Sequence, residues 1–483
     1  MLRFTACVAM ACMLAGASAF TPSGILGQTR RPTSSILADR SVRSVSSWAA
    51  VPRRRAATLQ MQVAAQAKTN YDEVAIDNVR NCAIIAHVDH GKTTLVDKLL
   101  DACAENIDND DGGDRAMDSL DLERERGITI MSKVTSMSWK GVKLNIVDTP
   151  GHADFGGEVE RVMSMVDGVC LLVDATEGPM AQTKFVLMKA LARGIKPLVV
   201  INKVDRDSSR VADVETEVFD LMCNLGATDE QLEYKTVFAS GRDGWSSLEW
   251  PTAKRPDDMA ALLDTIVGSV PMPKVLDRQE FSMVVSMIEY DAFLGRICTG
   301  RIASGTVKLG DAIHALDKEG VKVEGGRVTK LLSRKGTGKV ELKVGRAGDI
   351  VQIAGLAKAT VSHTIATPTV LEALPSLAID PPTLAMTFCP NDSPLAGKDK
   401  TSTKLTSQMI RERLMSECEN NVAISVKPSP DRSEAYDVMG RGELQLGILV
   451  ENMRREGFEL GVCPPQVLFK RGPDGGRLEP IEG

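Results

Sequence analysis

The chain of 483 residues is long enough for three or four domains, and its 43% hydrophobic and 25% charged residues are typical of a globular protein. Its net charge is −6, but residues 1–70 carry +8, so the rest of the chain carries −14. An acidic body excludes a generic nucleic-acid-binding protein, and an aromatic content of 4% argues against stacking platforms for single-stranded nucleic acid.

The N-terminal segment has the composition of a targeting leader. A short apolar run ends in Ala17-Ser18-Ala19, which supplies small residues at the spacing of a signal-peptide cleavage site. Residues 20–70 are rich in Ser, Thr, Ala and Arg and almost free of acids, which is typical of an organelle transit peptide. We therefore predict a signal peptide over residues 1–19, a transit-like segment after it, and a mature start between residues 61 and 71.

The order of these two segments, with Phe20 directly after the cleavage site, resembles the leaders of algae with complex plastids. That resemblance implies a plastid protein of the chloroplast stroma once residues 1–70 are removed. The alternative is a disordered tail on a cytosolic protein. No later apolar run reaches the roughly eighteen residues of a membrane-spanning helix, so none is predicted. Ten cysteines without a CxxC pair predict buried free thiols in a reducing compartment and no metal site.

A glycine-containing loop between a strand and a helix indicates a phosphate site. Residues 81–86 read as a buried strand, residues 87–94 (HVDHGKTT) as the loop, and residues 95–103 as a helix. Backbone N–H groups in such a loop, together with the helix dipole, point at phosphate oxygens. The general pattern is GxxxxGK[ST], and here Ala86 replaces the first glycine. Six residues of this loop are therefore predicted to bind the nucleotide: Asp89, His90, Gly91, Lys92, Thr93 and Thr94. Within it, Lys92 would reach the β- and γ-phosphates and act in catalysis, and Thr93 would ligate Mg²⁺.

The next predicted strand, residues 142–148, ends in a carboxylate and continues as Thr149-Pro150-Gly151-His152. Asp148 suits an outer-sphere or Walker-B-type role at Mg²⁺. The N–H of Gly151 can sense a γ-phosphate, and a loop there can order or collapse with it.

Two further motifs are predicted to select guanine as the base of the nucleotide. Asn202, Lys203 and Asp205 follow a strand over residues 197–201, and a carboxylate there can accept two N–H bonds from guanine that adenine does not offer. Ser240 and Gly241 follow a short strand, where the backbone could contact the guanine oxygen. All four motifs stand at carboxyl ends of strands, where an open α/β sheet binds its ligand. Strands are predicted near residues 81–86, 142–148, 168–174, 196–202 and 235–240. Together they predict a P-loop GTP-binding domain over residues 75–274.

Beyond this domain the patterns change twice. Short strands with Gly turns predict a β-barrel over residues 278–372. A basic cluster in it (Lys330, Arg334, Lys335, Lys339) is either a ribosomal-RNA contact or a solvated hairpin. Residues 380–462 mix strands with amphipathic helices, which predicts an α+β domain. Its helices are expected over residues 403–419 and 444–455.

Together with Arg124-Glu125-Arg126-Gly127-Ile128-Thr129-Ile130, these motifs resemble the translational GTPases. That family carries an RGITI segment as switch I and a DTPGHxDF segment as switch II, here residues 148–155. Its loop also reads AHVDHGKTT, so Ala86 is a family trait. The resemblance implies that Thr129 binds Mg²⁺ and the γ-phosphate. It also implies that His152 orients the attacking water and is catalytic; otherwise, a lone loop histidine is usually a surface residue.

The same resemblance implies two accessory features. Val88 and Ile128 would form an apolar gate that holds His152 away until activation. Asp89 would help to bind a monovalent cation, such as K⁺, near the phosphates.

Three downstream segments look like the TypA/BipA subfamily of ribosome-associated GTPases: residues 372–375 (EALP), 440–444 (GRGEL) and 450–460 (VENMRREGFEL). The resemblance covers residues 78–483. It implies a multidomain α/β plus β fold, with a P-loop GTPase domain, a translation-factor β-barrel that docks, and a ferredoxin-like third domain. It also implies a Mg²⁺-dependent GTP/GDP switch in translation, ribosome assembly or stress adaptation.

The expected partner is the ribosome, through ribosomal RNA and also tRNA, and the expected state is a monomer. Relatives continue into further domains, so residues 463–483 are expected to start a truncated one, in a fragment or gene model or else in a shortened natural variant. Three alternatives stay open: an elongation factor G-like or LepA-like GTPase, a nucleotide-responsive scaffold or chaperone with incidental hydrolysis, and a metabolic P-loop ATPase.

Overall fold

The computed structural model describes residues 73–76, 78–103, 121–251, 255–336, 338–376, 381–394, 396–398, 404–421, 423–471 and 477–478. The predicted leader, with its cleavage sites, lies outside the described residues, as do residues 472–476 and 479–483 of the predicted start of a further domain.

A mainly parallel sheet forms the centre of residues 78–272, which we call the α/β domain. After a short strand β1 (Glu73–Ala75), its strands are β2 (Val79–Ala86), β3 (Lys133–Trp139), β4 (Val142–Asp148), β5 (Gly168–Asp174), β6 (Pro197–Asn202), β7 (Thr236–Ser240) and β8 (Trp245–Ser247). In the described chain they make one sheet of order β3-β4-β2-β5-β6-β7-β8. The strands β4, β2, β5, β6 and β7 run parallel, and β3 and β8 close the edges antiparallel.

Helices cover both faces of this sheet, so β5 and β6 are buried at every position. The helices are α1 (Lys92–Ala102), α2 (Asp121–Arg126), α3 (Gly156–Val162), α4 (Ala181–Ala192), α5 (Val211–Asn224), α6 (Asp229–Leu232) and α7 (Ala260–Ser269). One core cluster includes side chains of α3, α4 and α5, and a second includes side chains of α1 and α7. The carboxyl ends of the parallel strands therefore sit on a scaffold that is packed on both sides.

Residues 274–370 form the predicted barrel. Its strands are β9 (Lys274–Leu276), β10 (Ser282–Asp291), β11 (Gly295–Ser304), β12 (Thr306–Lys308), β13 (Ala312–Leu316), β14 (Lys322–Arg327), β15 (Lys330–Lys335), β16 (Gly338–Glu341), β17 (Val344–Arg346), β18 (Ile350–Ala354) and β19 (Thr364–Ala366). Within the described residues, eight of these strands form one sheet in the order β14-β13-β19-β10-β11-β18-β15-β16. The core of the barrel includes Phe281, Met283 and Ile353.

The predicted basic cluster lies on the β15–β16 hairpin, and acidic side chains form ion pairs with it. Lys330 pairs with Glu341. Glu289 holds both Arg334, at 2.9 Å, and Lys339, at 2.8 Å. These ion pairs favour the interpretation of the cluster as a solvated hairpin over its interpretation as a ribosomal-RNA contact.

Residues 381–467 form an α+β domain. Its elements are β20 (Leu384–Pro390), α8 (Ser407–Asn420), β21 (Ser425–Pro428), β22 (Tyr436–Gly440), α9 (Glu443–Arg455), β23 (Leu460–Val462) and β24 (Gln466–Val467). The described strands pair in the order β21-β22-β20-β23, with β24 also beside β20. This βαββαβ arrangement is ferredoxin-like, as predicted. Two strands of two residues each follow: β25 (Lys470–Arg471) and β26 (Arg477–Leu478).

A buried polar network joins the α/β domain to the barrel. The amide of Asn145 donates to Asn81 Oδ1 at 2.8 Å and to Asp349 Oδ1 at 3.1 Å. Lys143 pairs with Asp349 at 2.7 Å, and Arg301 of the barrel pairs with Asp167 at 2.7 Å. Because these groups are buried or largely buried, they must satisfy one another across the boundary.

Among the residues that the structure describes, no helix combines the length and the apolar character that crossing a membrane requires.

Candidate nucleotide-binding site

The loop between β2 and α1 has the backbone shape of a phosphate cradle. Asp89 and Gly91 both adopt positive φ values, 63° and 90°. A side chain at Gly91 would come within 2.7 Å of the amide nitrogen of Asn202, so only glycine fits there. Helix α1 begins at Lys92, three residues earlier than predicted, which places its free N-terminal N–H groups inside the motif.

The predicted phosphate and metal residues converge beyond this loop. The ammonium of Lys92 donates to Thr129 Oγ1 at 2.9 Å and forms a short ion pair with Asp148. Thr93 Oγ1 lies 3.4 Å from Thr129 Oγ1. Lys92, Thr129 and Asp148 are all buried. Residues from the cradle, from switch I and from the end of β4 thus meet at one point.

This oxygen set fits Mg²⁺. Thr93 and Thr129 supply hydroxyl oxygens and Asp148 a carboxylate, and hard oxygen ligands are those that Mg²⁺ prefers. The second carboxylate oxygen of Asp148, Oδ2, is buried without a hydrogen-bond partner in the described chain. A buried carboxylate oxygen of this kind is suited to a cation or to a metal-bound water.

A pocket of about 250 Å³ opens over this point. It is lined by His87, Val88, Asp89, Gly91, Lys92, Thr93, Thr94, Gly127, Ile128, Thr129, Gly151, Lys203 and Arg206. The lining therefore contains the predicted residues of the phosphate loop except His90, and both predicted gate residues. His87, Gly127 and Arg206 were not assigned from the sequence.

Asn202 ties the motifs that are predicted to recognise the base to the cradle. Its amide nitrogen donates to the His90 carbonyl at 2.9 Å, and its oxygen accepts the N–H of Gly241 at 2.8 Å. The Ser240 hydroxyl accepts the N–H of Asp243 at 3.3 Å, which shapes the same turn. One buried amide therefore holds three predicted nucleotide loops in register.

Lys203 and Asp205 point in different directions from the same turn. Lys203 donates to the Asp89 carbonyl at 2.5 Å and pairs with Asp174 at 2.6 Å, so it braces the cradle. The carboxylate of Asp205 faces Arg242 at 3.1 Å, and Arg242 is 79% exposed. Within the described residues, the charged group that a guanine base would displace from Asp205 is this exposed guanidinium.

The side chain of His90 is not directed at the pocket. Its ring is fully buried, with Nδ1 within 3.4 Å of the Leu172 carbonyl and 3.3 Å of the Asp174 amide nitrogen. Burial lowers the pKa of His90 below its ordinary value. The ring therefore packs under the cradle, and only the backbone of His90 is available to a nucleotide.

His152 stands beside the pocket and does not line it. Its ring is about one third exposed, stacks edge-on against Phe155 at 6.4 Å between ring centroids, and places Nδ1 3.1 Å from Asp154. Gly151, the residue before it, does line the pocket. The predicted catalytic side chain is thus one residue away from the predicted γ-phosphate sensor, and turned aside.

Helix α9 of the α+β domain packs on both switch segments. Ile448 shares an apolar cluster with Leu122 of helix α2, which precedes switch I, with Ile130 of switch I, and with Phe155 of switch II. At the carboxyl end of the helix, Arg455 pairs with Glu125 of helix α2, directly before switch I, at 2.5 Å. The pair of Arg455 and Glu125 joins residues that are 330 positions apart in the chain.

Sequence reasoning missed two carboxylates that shape the site. Glu123 is fully buried, accepts the N–H groups of Ile130 and Met131, and pairs with Lys133 at 2.5 Å. Asp174 forms an ion pair with Lys203. Burial opposes ionisation of Asp174, but hydrogen bonds from Lys203 and from the Thr176 N–H hold the pKa of Asp174 below its ordinary value. Asp174 ends a buried strand just as Asp148 does, so that signal could have found it.

Comparison with known proteins gives two family matches. A family described as the elongation factor Tu GTP binding domain matches residues 77–272. A family described as elongation factor G domain 2 matches residues 280–367. The matched segments correspond to the α/β domain and the barrel.

Curated relatives match over most of the chain. Proteins named large ribosomal subunit assembly factor BipA, from Salmonella typhimurium and from Escherichia coli strain K12, are 49% identical over 407 residues, or 84% of this chain. The protein of the same name from Haemophilus influenzae is 49% identical over 412 residues. The chain spans 66% of the length of these relatives.

A solved structure of a protein from Thermus thermophilus has a similar fold. The TM-score is 0.60, over 80% of this chain and 67% of that chain. At 18% identity this likeness shows the fold alone.

Proposed function

Because this chain belongs to the TypA/BipA family of translational GTPases, we propose that it binds and hydrolyses GTP with Mg²⁺ as a molecular switch on the ribosome. The observation that carries the proposal is the convergence of Lys92, Thr93, Thr129 and Asp148 at the cradle. Four residues from three separate motifs meet there, where a γ-phosphate and its metal would lie.

Each of these residues has a defined task in the proposed reaction. Thr93, Thr129 and Asp148 would hold Mg²⁺, which when bound neutralises charge on the phosphates. Lys92 exchanges its contact with Asp148 for the phosphate oxygens, where a fixed positive charge stabilises the charge that develops during transfer. The Gly151 N–H donates to the γ-phosphate.

His152 then orients the attacking water. Its ring must turn from Phe155 towards the pocket, whose lining includes Val88 and Ile128, the two proposed gate residues. A monovalent cation such as K⁺ beside Asp89 is a further part of the proposal, since the Asp89 side chain is exposed at the rim. Catalysis of this kind rests on positioning and electrostatics and involves no covalent intermediate with the protein.

The proposed partner is a ribosomal particle that contains the large subunit, because the relatives are named as assembly factors of that subunit. We propose contacts with ribosomal RNA and tRNA, action as a monomer, and, from the leader composition of residues 1–70, a place in the plastid stroma.

The direct test is hydrolysis of GTP and of ATP by the purified chain, with and without plastid-type ribosomes. GTP-selective turnover that ribosomes accelerate would support the whole proposal. GTP-selective turnover without acceleration would retain the switch and remove ribosomal activation by this chain. Equal use of ATP would contradict the assignment of Asp205.

His152→Ala tests the catalytic assignment. Ribosome-stimulated turnover should fall by about a hundredfold or more, the scale of a lost positioning or acid–base group, while GTP affinity stays unchanged. Unchanged stimulated turnover would remove His152 from the mechanism.

A further inference from the structure

Glu123 is a carboxylate of helix α2 that is buried directly before switch I. Its side chain has no exposed surface, and one oxygen, Oε1, accepts the N–H of Ile130 at 3.0 Å and that of Met131 at 3.2 Å. The other oxygen, Oε2, accepts from the ammonium of Lys133 at 2.5 Å. Hydrogen bonds to an ionised acceptor are stronger than those between neutral groups. The residues that follow Thr129 are therefore held by a buried negative charge.

The backbone of Glu123 holds the other end of the same segment. Its carbonyl accepts the N–H of Gly127 at 2.8 Å. Gly127 has a φ of 69°, the left-handed conformation in which a glycine commonly ends a helix. Residues 127–131 thus leave Glu123 and return to it as a closed loop, and Thr129 is the middle residue of that loop.

Thr129 is the residue of this loop that reaches the nucleotide cradle. Its hydroxyl accepts from Lys92 at 2.9 Å and lies 3.4 Å from the hydroxyl of Thr93. A group that ligates a metal must be held within about half an ångström of its working position by the residues around it. Glu123 stands outside the lining of the described pocket, so its effect on a nucleotide must pass through the loop.

We propose that Glu123 is a positioning residue that holds Thr129 in the place where it binds Mg²⁺ and the γ-phosphate. The proposal rests on the proposed role of Thr129 and extends it to a side chain that lies behind switch I. When the loop is released, the apparent affinity for a nucleoside triphosphate falls with the fraction of chains that keep Thr129 in place. GDP has no γ-phosphate for Thr129 to contact, so its affinity is spared.

The test is Glu123→Gln in the full chain. The amide offers one oxygen where the carboxylate offers two, and its NH₂ group must face a donor, either a backbone N–H or the ammonium of Lys133. The Kd for the non-hydrolysable analogue guanosine 5′-(β,γ-imido)triphosphate should rise about tenfold or more, while the Kd for GDP stays constant. Calorimetric titration with each nucleotide measures both values.

The Mg²⁺ dependence gives a second reading that a merely structural role would not change. In Glu123→Gln, the Mg²⁺ concentration for half-maximal binding of the analogue should rise, because Thr129 is the displaced ligand. The corresponding concentration for GDP should match the wild type. A selective change in the analogue supports the proposal. An unchanged Kd for the analogue overturns it, and so does an equal rise for both nucleotides.

A double variant, Glu123→Leu with Lys133→Met, covers the case in which the single variant does not fold. Removing both members of a buried ion pair is tolerated better than removing one. The N–H groups of Ile130 and Met131 still lose their acceptor, so the loss of affinity for the analogue should persist. A wild-type Kd for the analogue in the double variant would show that Glu123 serves its ion pair and not the loop, and would overturn the proposal.

Amide hydrogen exchange reads the same contact without any nucleotide. In Glu123→Gln, exchange in residues 127–131 should be faster than in the wild type, because both N–H groups lose a charged acceptor. Exchange at the wild-type rate would overturn the proposal.

The contacts of helix α9 supply the matched control. Arg455 of this helix pairs with Glu125 of helix α2 at 2.5 Å. At its other end, the N–H of Leu444 donates to the carboxylate of Asp154 in switch II at 2.8 Å. Glu125→Gln removes the same charge from the same helix as Glu123→Gln, but the side chain of Glu125 is 56% exposed, so affinity and exchange should match the wild type. Equal effects of the two variants would overturn the specific role of Glu123.

Thr129→Ala separates this inference from the proposed function. An unchanged Kd for the analogue in Thr129→Ala would remove the proposed role of Thr129. A raised Kd in Thr129→Ala together with a wild-type Kd in Glu123→Gln would keep the proposed function and overturn the inference.

Discussion

At the scale of single residues, Asp205 is the side chain that we expect to select guanine. Its carboxylate has one charged neighbour in the described structure, the exposed guanidinium of Arg242 at 3.1 Å. An exposed pair of this kind contributes little, so the base can displace it at low cost. The N–H groups of guanine offer two charge-assisted hydrogen bonds in exchange.

Asp205→Asn should therefore change the preferred nucleotide. The amide would face the guanine N–H groups with a donor, and the affinity for GTP should fall by about a hundredfold or more, while xanthosine triphosphate gains. Competition binding with the two nucleotides measures the change. Asp207→Asn, an exposed acid two residues further on, is the control and should bind as the wild type does. Retained GTP preference in Asp205→Asn would remove that residue from base recognition.

At the scale of elements, the hairpin of β15 and β16 is fastened to β10 by Glu289. Burial opposes ionisation of this carboxyl, but Arg334 and Lys339 outweigh it and hold its pKa below the ordinary value of 4.5. A depressed folded-state pKa contributes stability above the unfolded-state value, and that stability is lost as the pH falls through the folded-state value.

Glu289→Gln should consequently destabilise the chain by about 2 kcal/mol at pH 7, because two cations lose their buried partner. The difference from the wild type should shrink as the pH falls below 4.5 and Glu289 becomes protonated. Urea unfolding over a pH series measures it. Glu341→Gln, which removes an exposed partner of Lys330, is the control with little effect. A difference that is independent of pH would contradict the ion pairs as its cause.

Helix α9 is the element that couples the α+β domain to the switches. Ile448 is 5% exposed and packs with side chains of both switch segments. Ile448→Ala should weaken this packing by about 2–4 kcal/mol and speed amide hydrogen exchange in residues 121–130. Met415→Ala, on the exposed face of α8, should leave that exchange unchanged. Equal exchange in both variants would mean that α9 does not hold switch I.

At the scale of the whole molecule, the network around Asn145 fixes the α/β domain against the barrel. Asn145→Leu would leave Asn81 Oδ1 and the Ser136 hydroxyl without partners, at about 1–3 kcal/mol for each buried group. We expect a clear fall in the unfolding midpoint by calorimetry. Asn224→Leu, at the exposed end of α5, is the matched substitution and should shift the midpoint little. Equal midpoints for the two variants would show that the network contributes no stability.

Local signals made much of this molecule predictable. The five parallel strands lie within two residues of their predicted bounds, because each is mostly apolar and is followed by, or ends in, a polar motif. Each of the four nucleotide motifs is a contiguous segment, and in the structure Asn202 ties the loop of one motif to those of two others. The predicted roles of His152, Asp205 and the gate residues stay predictions.

What the sequence did not reveal depends on contacts between distant segments. Strands β14 and β16 are mostly exposed and short, so no apolar alternation marks them. Asn81 and Asn145 interrupt apolar strands, and only the barrel that covers them explains those polar residues. The contact of Asp154 with α9 spans 290 residues and has no local signature.

The contact of helix α9 with both switch segments has a thermodynamic consequence. Linkage is reciprocal: if GTP makes the switches bind the helix more tightly, the helix must make the switches bind GTP more tightly, by the same factor. A coupling of about 1.4 kcal/mol corresponds to about tenfold in each direction. With that coupling, helix α9 would act as an intramolecular effector, and a partner that pulled it away would lower GTP affinity without touching the nucleotide.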